Sequence, residues 1–216
     1  MKKIFFAICV LSTISYAQEV VDVKAKKILD EMSAKTKTYK TTNTEFAYTL
    51  ENKAKKITET NSGKLLVKGH KYKLEVANQI IICDSKVIWT ILKDASEIQV
   101  NNTSVQKDEN ITPTTIFTIY EKGFKYLYVK EEKQKNGAIV HIIKMFPIDT
   151  KKNYHTVFLT IDKVKKQLVS IKVLGKDGND VTYIIKKLVV DLDIQDATFT
   201  CNTKSYPKYE VIDLRE

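Results

Sequence analysis

Two periodicities in the spacing of apolar residues divide the chain. Over residues 20–37 the apolar positions recur three or four apart, at Val21, Ala25, Ile28 and Met32. That spacing predicts an amphipathic helix, which the threonine-rich stretch from Thr36 to Thr44 ends. From Phe46 onwards the period changes to two, with apolar and polar residues alternating as they do along a half-buried β-strand.

About eleven strand-like segments follow one another, separated by short clusters of turn-forming residues. Successive strands joined by short turns form hairpins, so the pattern predicts an antiparallel sheet. The predicted turns lie at Asn61-Ser62-Gly63, Lys68-Gly69-His70, Ala77-Asn78, Asp84-Ser85-Lys86 and Gly175-Lys176-Asp177-Gly178-Asn179.

A second helix is predicted in the middle of the chain. Thr112-Pro113 is a typical helix start, since proline suits the first helical position, and Gly123 is a suitable end. The apolar residues of this short helix are Ile116, Phe117, Ile119 and Tyr120. The fold class is therefore α+β and mainly β.

The apolar face of the predicted sheet is the candidate functional surface. A sheet of about eleven antiparallel strands tends to curl or close, and two amphipathic helices are available to cover its concave side. Such a face is either a packed core or a cavity for acyl chains, where each buried methylene contributes about 0.8 kcal/mol. The pattern alone favours a packed core. Its predicted residues are Phe46, Tyr48, Leu65, Val67, Tyr72, Leu74, Val76, Trp89 and Ile91.

The first seventeen residues have the features of a cleavable export signal. Lys2 and Lys3 precede an apolar run, residues 4–14, that is too short to span a bilayer, and Ser15-Tyr16-Ala17 offers a cleavage site. Gln18 stands where a lipid-anchored protein would have a cysteine. We therefore expect a soluble exported protein that consists of one domain, residues 18–216.

The charge of the chain is basic but depends almost wholly on lysine. The formal net charge is +10, or +8 without Lys2 and Lys3, and Arg215 is the single arginine. Nucleic-acid recognition favours the fork of arginine, so a nucleic-acid ligand is not expected. Dispersed lysines are typical of a solvated surface, although transient contact with an anionic membrane surface is the alternative.

Residues that could carry catalysis or bind a metal are scattered. His70, His141 and His155 have no metal-ligand spacing, and neither Cys83 nor Cys201 has a CxxC partner. An oxidising compartment would permit a disulfide between these two cysteines, but each lies beside apolar strand residues, and we favour two buried thiols. With no cofactor motif present, the chain is expected to be a monomeric binding protein and not an enzyme.

Five stretches of the chain resemble a known family, the periplasmic outer-membrane lipoprotein carriers (LolA-like proteins). They are "TEFAYTL" (44–50), "SGKLLVKGHKYKLEV" (62–76), "CDSKVIWT" (83–90), "TPTTIF" (112–117) and "ATFTCNTKSYPKYEVIDLR" (197–215). Within them, the residues that match the family's pattern include Phe46, Asp84, Lys86, Trp89, Phe199, Pro207, Val211, Asp213 and Arg215. The order of these stretches along one exported chain is what makes the resemblance specific.

The resemblance implies an unclosed antiparallel β-barrel with helices packed as a lid over its concave apolar face. It further implies a periplasmic carrier that takes acylated lipoproteins from an inner-membrane ABC transporter complex to an outer-membrane acceptor, without a cofactor. The helices at residues 21–32 and 116–120 would gate the face. The family's Arg-Pro turn, whose arginine helps to hold the lid, reads Lys68-Gly69-His70 here.

Two other functions are compatible with the same fold. The cargo could be another lipid or lipid-like product, or the chain could be an envelope sensor that binds a protein partner and carries nothing. An enzyme ranks third, because it would need a polar pocket with convergent titratable groups.

Overall fold

The computed structural model describes residues 22–103 and 123–215. Within them lie one α-helix, α1 (Val23–Lys37), and twelve strands. The first six strands are β1 (Thr41–Asn52), β2 (Ile57–Lys68), β3 (Lys71–Val76), β4 (Gln79–Cys83), β5 (Val87–Leu92) and β6 (Glu97–Asn102). The other six are β7 (Phe124–Lys133), β8 (Ile139–Pro147), β9 (Tyr154–Asp162), β10 (Leu168–Gly175), β11 (Asp180–Val190) and β12 (Glu210–Asp213).

All twelve strands belong to one sheet, in the order β12-β6-β5-β4-β3-β2-β1-β11-β10-β9-β8-β7. Every neighbouring pair is antiparallel except β12 and β6, which run parallel. Strands β7 and β12 end the sheet on its two sides and do not pair with each other, so the sheet is not closed into a barrel. The predicted fold class, α+β and mainly β with an unclosed antiparallel barrel, is confirmed, and α1 is the lid helix that the described residues contain.

The helix α1 begins where its first amide groups find an acceptor. Asp22 is the N-cap, and its Oδ1 accepts a hydrogen bond from the backbone N–H of Ala25 at 2.9 Å. Its Oδ2 accepts from the backbone N–H of Tyr128 in β7 at 2.7 Å. These two hydrogen bonds lower the pKa of Asp22. The Asp22 side chain therefore caps the N-terminus of the helix and attaches it to the edge strand β7.

The hairpin turns follow the sequence prediction with one exception. Ala77 and Ser85 have positive φ, as tight turns require, and Asp84 Oδ1 accepts hydrogen bonds from two backbone amides of its own turn. The turn predicted at Asn61-Ser62-Gly63 is wrong, because β2 continues through it and the chain reverses at residues 53–56. Gly63 instead lies opposite Phe46, whose ring occupies the space that a Cβ at Gly63 would need.

The strand count differs from the prediction by one. The twelfth strand, β12, has four residues and pairs along one edge of β6, with Glu210 N–H donating to Ser96 O at 2.9 Å. A strand this short, exposed at three of its four positions, has no apolar alternation to reveal it. The second helix, predicted from Thr112-Pro113 through Ile116, Phe117, Ile119 and Tyr120, lies outside the described residues.

The two faces of the sheet are covered by different parts of the chain. We call the face that carries α1 the inner face and the opposite one the outer face. The segment 191–209 leaves β11, crosses the outer face of β3–β6 and leads into β12. It contains two short 3₁₀ turns, Asp196–Phe199 and Thr203–Ser205.

Candidate functional site

Beneath α1 the inner face is a packed core. Four buried apolar residues, which share one face of the helix, contact the inner side chains of β8–β10. They are Ala25, Ile28, Leu29 and Met32. The strand partners include Ile143, Met145, Val157, Leu159, Ile161 and Ile171, all buried. This half of the inner face leaves no room for a ligand while the helix is in place.

The other half of the inner face, on β1–β5, is apolar and ranges from half-buried to buried. We call it the open half. Cross-strand pairing places Leu65, Leu74 and Ile81 in one row across β2–β4, since partners in register project from the same face. A second row contains Val67, Tyr72 and Cys83. The cluster that these rows form is built from residues of the strands β2–β5.

Seven of the nine predicted strand residues lie on this inner face. They are Phe46, Tyr48, Leu65, Val67, Tyr72, Leu74 and Val76. Tyr72 is 3% exposed, and the other six are half-buried. The lid residues Ile116, Phe117, Ile119 and Tyr120 lie outside the described residues, so their part in the site stays a prediction.

The prediction that Trp89 and Ile91 line the concave face is wrong. Trp89 pairs with Ile82 and Ile91 pairs with Ile80, and all four project from the outer face. There they pack under the C-terminal segment, against Cys201, Tyr206 and Tyr209. Because side chains alternate along a strand, the inner positions of β5 are Ile88, Thr90 and Leu92 instead.

The run Ile80-Ile81-Ile82 is divided between the faces in the same way. Ile81 projects into the open half, whereas Ile80 and Ile82 belong to the outer core. Ile81 was missed in the sequence although a signal was present. The two-residue turn Ala77-Asn78 pairs Val76 with Gln79. Two residues further from the turn on each strand, the same register pairs Leu74 with Ile81.

An aromatic cluster lies on the inner face where β1 meets β11. Phe46 and Tyr48 each lie 6.1 Å from Tyr183, measured between ring centroids. Tyr183 is partly exposed, and burial raises the pKa of its hydroxyl. Tyr183, on β11, thus adds a third aromatic ring beside the open half, and it had not been predicted from the sequence.

A cleft opens on the inner face at the C-terminal end of α1. Its enclosed volume is about 10 Å³, roughly the room that one water molecule needs. The walls combine hydroxyl and apolar groups, and Tyr39 Oη accepts a hydrogen bond from Gln167 Nε2 at 2.8 Å. The lining residues are Thr36, Tyr39, Thr42, Thr44, Gln167, Leu168, Ile185 and Leu188. A space of this size is too small for an acyl chain, so the cleft is not by itself a ligand pocket.

The turn that carries the family's lid-holding arginine has a different role in this chain. Lys68 lies on the outer face, where its Nζ donates to Ile194 O at 2.7 Å and pairs with Asp196 at 2.8 Å. Lys71 pairs with the same carboxylate at 2.7 Å. Lys68 therefore attaches the C-terminal segment to the sheet and makes no described contact with α1.

These ion pairs predict a pH dependence. Hydrogen bonds from Lys68 and Lys71 lower the pKa of Asp196 from 3.8 to about 2. The pKa of Asp196 is lower in the folded protein than in the unfolded one, so the ion pairs stabilise the fold fully at pH values above the unfolded pKa. This stabilisation is lost as the pH falls through the folded pKa. We expect Asp196→Asn to lower Tm slightly at pH 7, and the difference from wild type to vanish near pH 2.

Thermal unfolding followed by circular dichroism across this pH range measures the effect. The matched control is Asp193→Asn, the same change at an exposed position of the same segment. A Tm difference between wild type and Asp196→Asn that persisted unchanged at the lowest pH would contradict the ion-pair explanation.

Groups capable of chemistry are not gathered in the described part of the chain. No set of three or more His, Cys, Asp or Glu residues there could hold a metal ion. Cys83 lies in the inner cluster and Cys201 in the outer one, and both are buried and free, so the sheet separates the two thiols. His141 is buried on the inner face, opposite Ile161, and burial lowers its pKa. None of the described helices is long and apolar enough to cross a membrane.

An open twelve-stranded sheet with α1 across its inner face defines, within the described residues, an unclosed barrel with a helix lid. The family described as outer membrane lipoprotein carrier protein LolA matches residues 11–178. The chain belongs to this family. No curated protein matches the sequence significantly.

The solved structures to which the chain is similar share little of its sequence. An uncharacterized conserved protein from Thermus thermophilus superposes with a TM-score of 0.55 at 10% identity, covering 88% of this chain and 99% of that one. This likeness supports the fold. A LolA superfamily protein from Nitrosomonas europaea has a TM-score of 0.43 at 11% identity, covering 82% and 97%. The MucA/MucB complex structure from Pseudomonas aeruginosa has a TM-score of 0.39 at 9% identity, covering 84% and 62%.

Proposed function

We propose that the protein is a periplasmic carrier that binds the acyl chains of lipoproteins on the open half of its inner face. The proposal includes an export signal at residues 1–17 and a single carrier domain at residues 18–216. The partners would be an inner-membrane ABC complex that releases lipoproteins and an outer-membrane acceptor. Membership of the lipoprotein carrier family supports this function.

The observation that carries the proposal is the apolar surface left beside α1. Rows of aliphatic and aromatic side chains extend from β1 to β5; Leu65, Leu74 and Ile81 are half-buried, and Tyr72 and Cys83 are buried. An acyl chain needs no polar partner, because its methylenes gain about 0.8 kcal/mol each when they leave water. Displacement of α1 would add to this surface the inner apolar side chains of β8–β10, which the helix covers.

Native mass spectrometry of the mature protein, purified from the periplasm of a host with two membranes, tests the proposal. We expect a bound acylated lipoprotein, with its acyl groups identified after denaturation. A phospholipid or another lipid in its place would keep the carrier role and change the cargo. An empty protein that also fails to bind an added acylated lipopeptide would contradict carriage and favour the protein-binding sensor.

A further inference from the structure

The outer face of β7–β10, opposite α1, has its own pattern of apolar and basic side chains. Leu127 pairs in register with Lys144, and Lys144 pairs with Phe158. Phe158 in turn pairs with Lys172. Partners in register project from the same face of a sheet, so these residues form one row across four strands. We call this row, together with Phe146, the basic–aromatic row.

The row is accessible to solvent. Leu127 is 50% exposed, and Phe146 and Phe158 are half-buried. Ile184, on the same face of neighbouring β11, is 39% exposed. Large apolar residues that are exposed together on one sheet face indicate an interaction surface more often than isolated ones do.

The lysine in the middle of the row lies over aromatic rings. Lys144 Nζ is 4.8 Å from the ring centroid of Phe146 and 5.7 Å from that of Phe158. Its charge is thereby held against an apolar surface, an arrangement typical of side chains at a membrane interface. Lys172 is 3.8 Å from Glu51, a long ion pair that neutralises part of its charge. Lys125, paired in register with Phe146, adds a further positive charge beside the row.

We propose that the basic–aromatic row docks on the anionic lipid headgroups of a membrane surface. Lysine ammonium groups attract anionic headgroups, while rings and aliphatic side chains enter the boundary between headgroups and acyl chains. The positive charge of the row selects an anionic surface over a neutral one. The formal charge of the chain without Lys2 and Lys3, +8, acts in the same direction.

Docking through the outer face leaves the inner face accessible, because the two faces point in opposite directions. The protein can therefore contact a membrane while α1 and the open half remain unobstructed. This surface does not depend on acyl carriage, since no inner-face residue takes part in it.

Co-sedimentation with vesicles tests the docking surface. We expect the protein to bind vesicles of phosphatidylcholine mixed with phosphatidylglycerol, and to bind those of phosphatidylcholine alone far more weakly. One lysine near an anionic surface contributes about fivefold in partitioning, so Lys144→Glu, a change of two charges, should weaken binding by roughly 20-fold. Phe158→Ser should weaken binding several-fold, and added salt should weaken wild-type binding.

Two controls make the result specific. Lys53→Glu makes the same change of charge in the exposed β1–β2 turn, and we expect it to lower binding much less than Lys144→Glu. Circular dichroism confirms that each variant is folded, and Lys144→Glu tests the proposal even if Phe158→Ser unfolds. Leu65→Glu, which alters only the inner face, should keep vesicle binding and so separates docking from acyl carriage.

Several outcomes would overturn the proposal. Equal vesicle binding by wild type and Lys144→Glu would show that the row is not the docking surface. An equal loss of binding in Lys53→Glu would show that only the net charge of the protein matters. Loss of vesicle binding in folded Leu65→Glu would move the contact to the inner face. Row-dependent binding to polyglutamate with none to vesicles would assign the row to an acidic protein partner.

Discussion

Leu65→Glu is expected to abolish co-purification of acylated ligand while leaving the fold intact. Leu65 is half-buried in the middle of the open half, between β1 and β3. An acyl chain over this position would exclude water from the new carboxyl group, which would then have to be protonated. Keeping a carboxyl protonated at pH 7 costs about 3–4 kcal/mol, so affinity should fall on the order of a hundredfold or more.

The neighbouring residue provides the matched control. Leu66 is also half-buried and lies in the same strand, but it pairs with Asn43 and Lys73 and projects from the outer face. Leu66→Glu should therefore keep the ligand. Binding of a fluorescent acylated lipopeptide, with circular dichroism as the test of folding, measures both variants. If folded Leu65→Glu and Leu66→Glu bound equally well, the open half would not be the binding surface.

Phe199→Ala is expected to destabilise the protein by about 3–5 kcal/mol, the usual cost of removing a buried phenylalanine side chain. Phe199 is 0% exposed and ends the first 3₁₀ turn of the C-terminal segment. In the sequence it lies between Asp196, which pairs with Lys68 and Lys71, and Cys201, which belongs to the outer core. For a chain of this size each kcal/mol lowers Tm by about 2–4 °C, so a decrease of roughly 6–20 °C is expected.

Urea unfolding followed by tryptophan fluorescence suits this measurement, because Trp89 lies under the same segment. The control Val211→Ala removes an apolar side chain that is 49% exposed, and should change the free energy of unfolding by less than about 0.5 kcal/mol. A decrease below about 1 kcal/mol for Phe199→Ala would mean that the segment does not pack on the outer face in solution.

The sequence alone predicted the elements that depend on local periodicity. The helical spacing of Ala25, Ile28 and Met32 located α1, and the alternation from Tyr72 to Val76 placed β3 on the correct face. Both predictions succeed because side-chain direction within one element follows from backbone geometry. The motif resemblance likewise identified the family from the sequence alone.

What the sequence could not decide is the register across the turn between β4 and β5. A three-residue turn at Asp84-Ser85-Lys86 would pair Cys83 with Val87 and align Ile81 with Trp89, which places Trp89 and Ile91 on the inner face. The structure pairs Cys83 with Ile88, one residue later. A shift of one residue exchanges the faces of a whole strand, because the side-chain period is two.

The role of the C-terminal segment was likewise decided only by tertiary structure. Residues 191–209 have neither helical nor strand periodicity, and their position depends on distant partners such as Lys68, Thr41 and the outer core of β4–β6. The positions of the two cysteines also depend on tertiary structure. The sheet places Cys83 in the inner cluster and Cys201 in the outer one, which the sequence does not show. Local periodicity thus determined the elements of this protein, whereas pairing between distant strands determined which apolar residues are buried in the outer core and which remain available to a ligand.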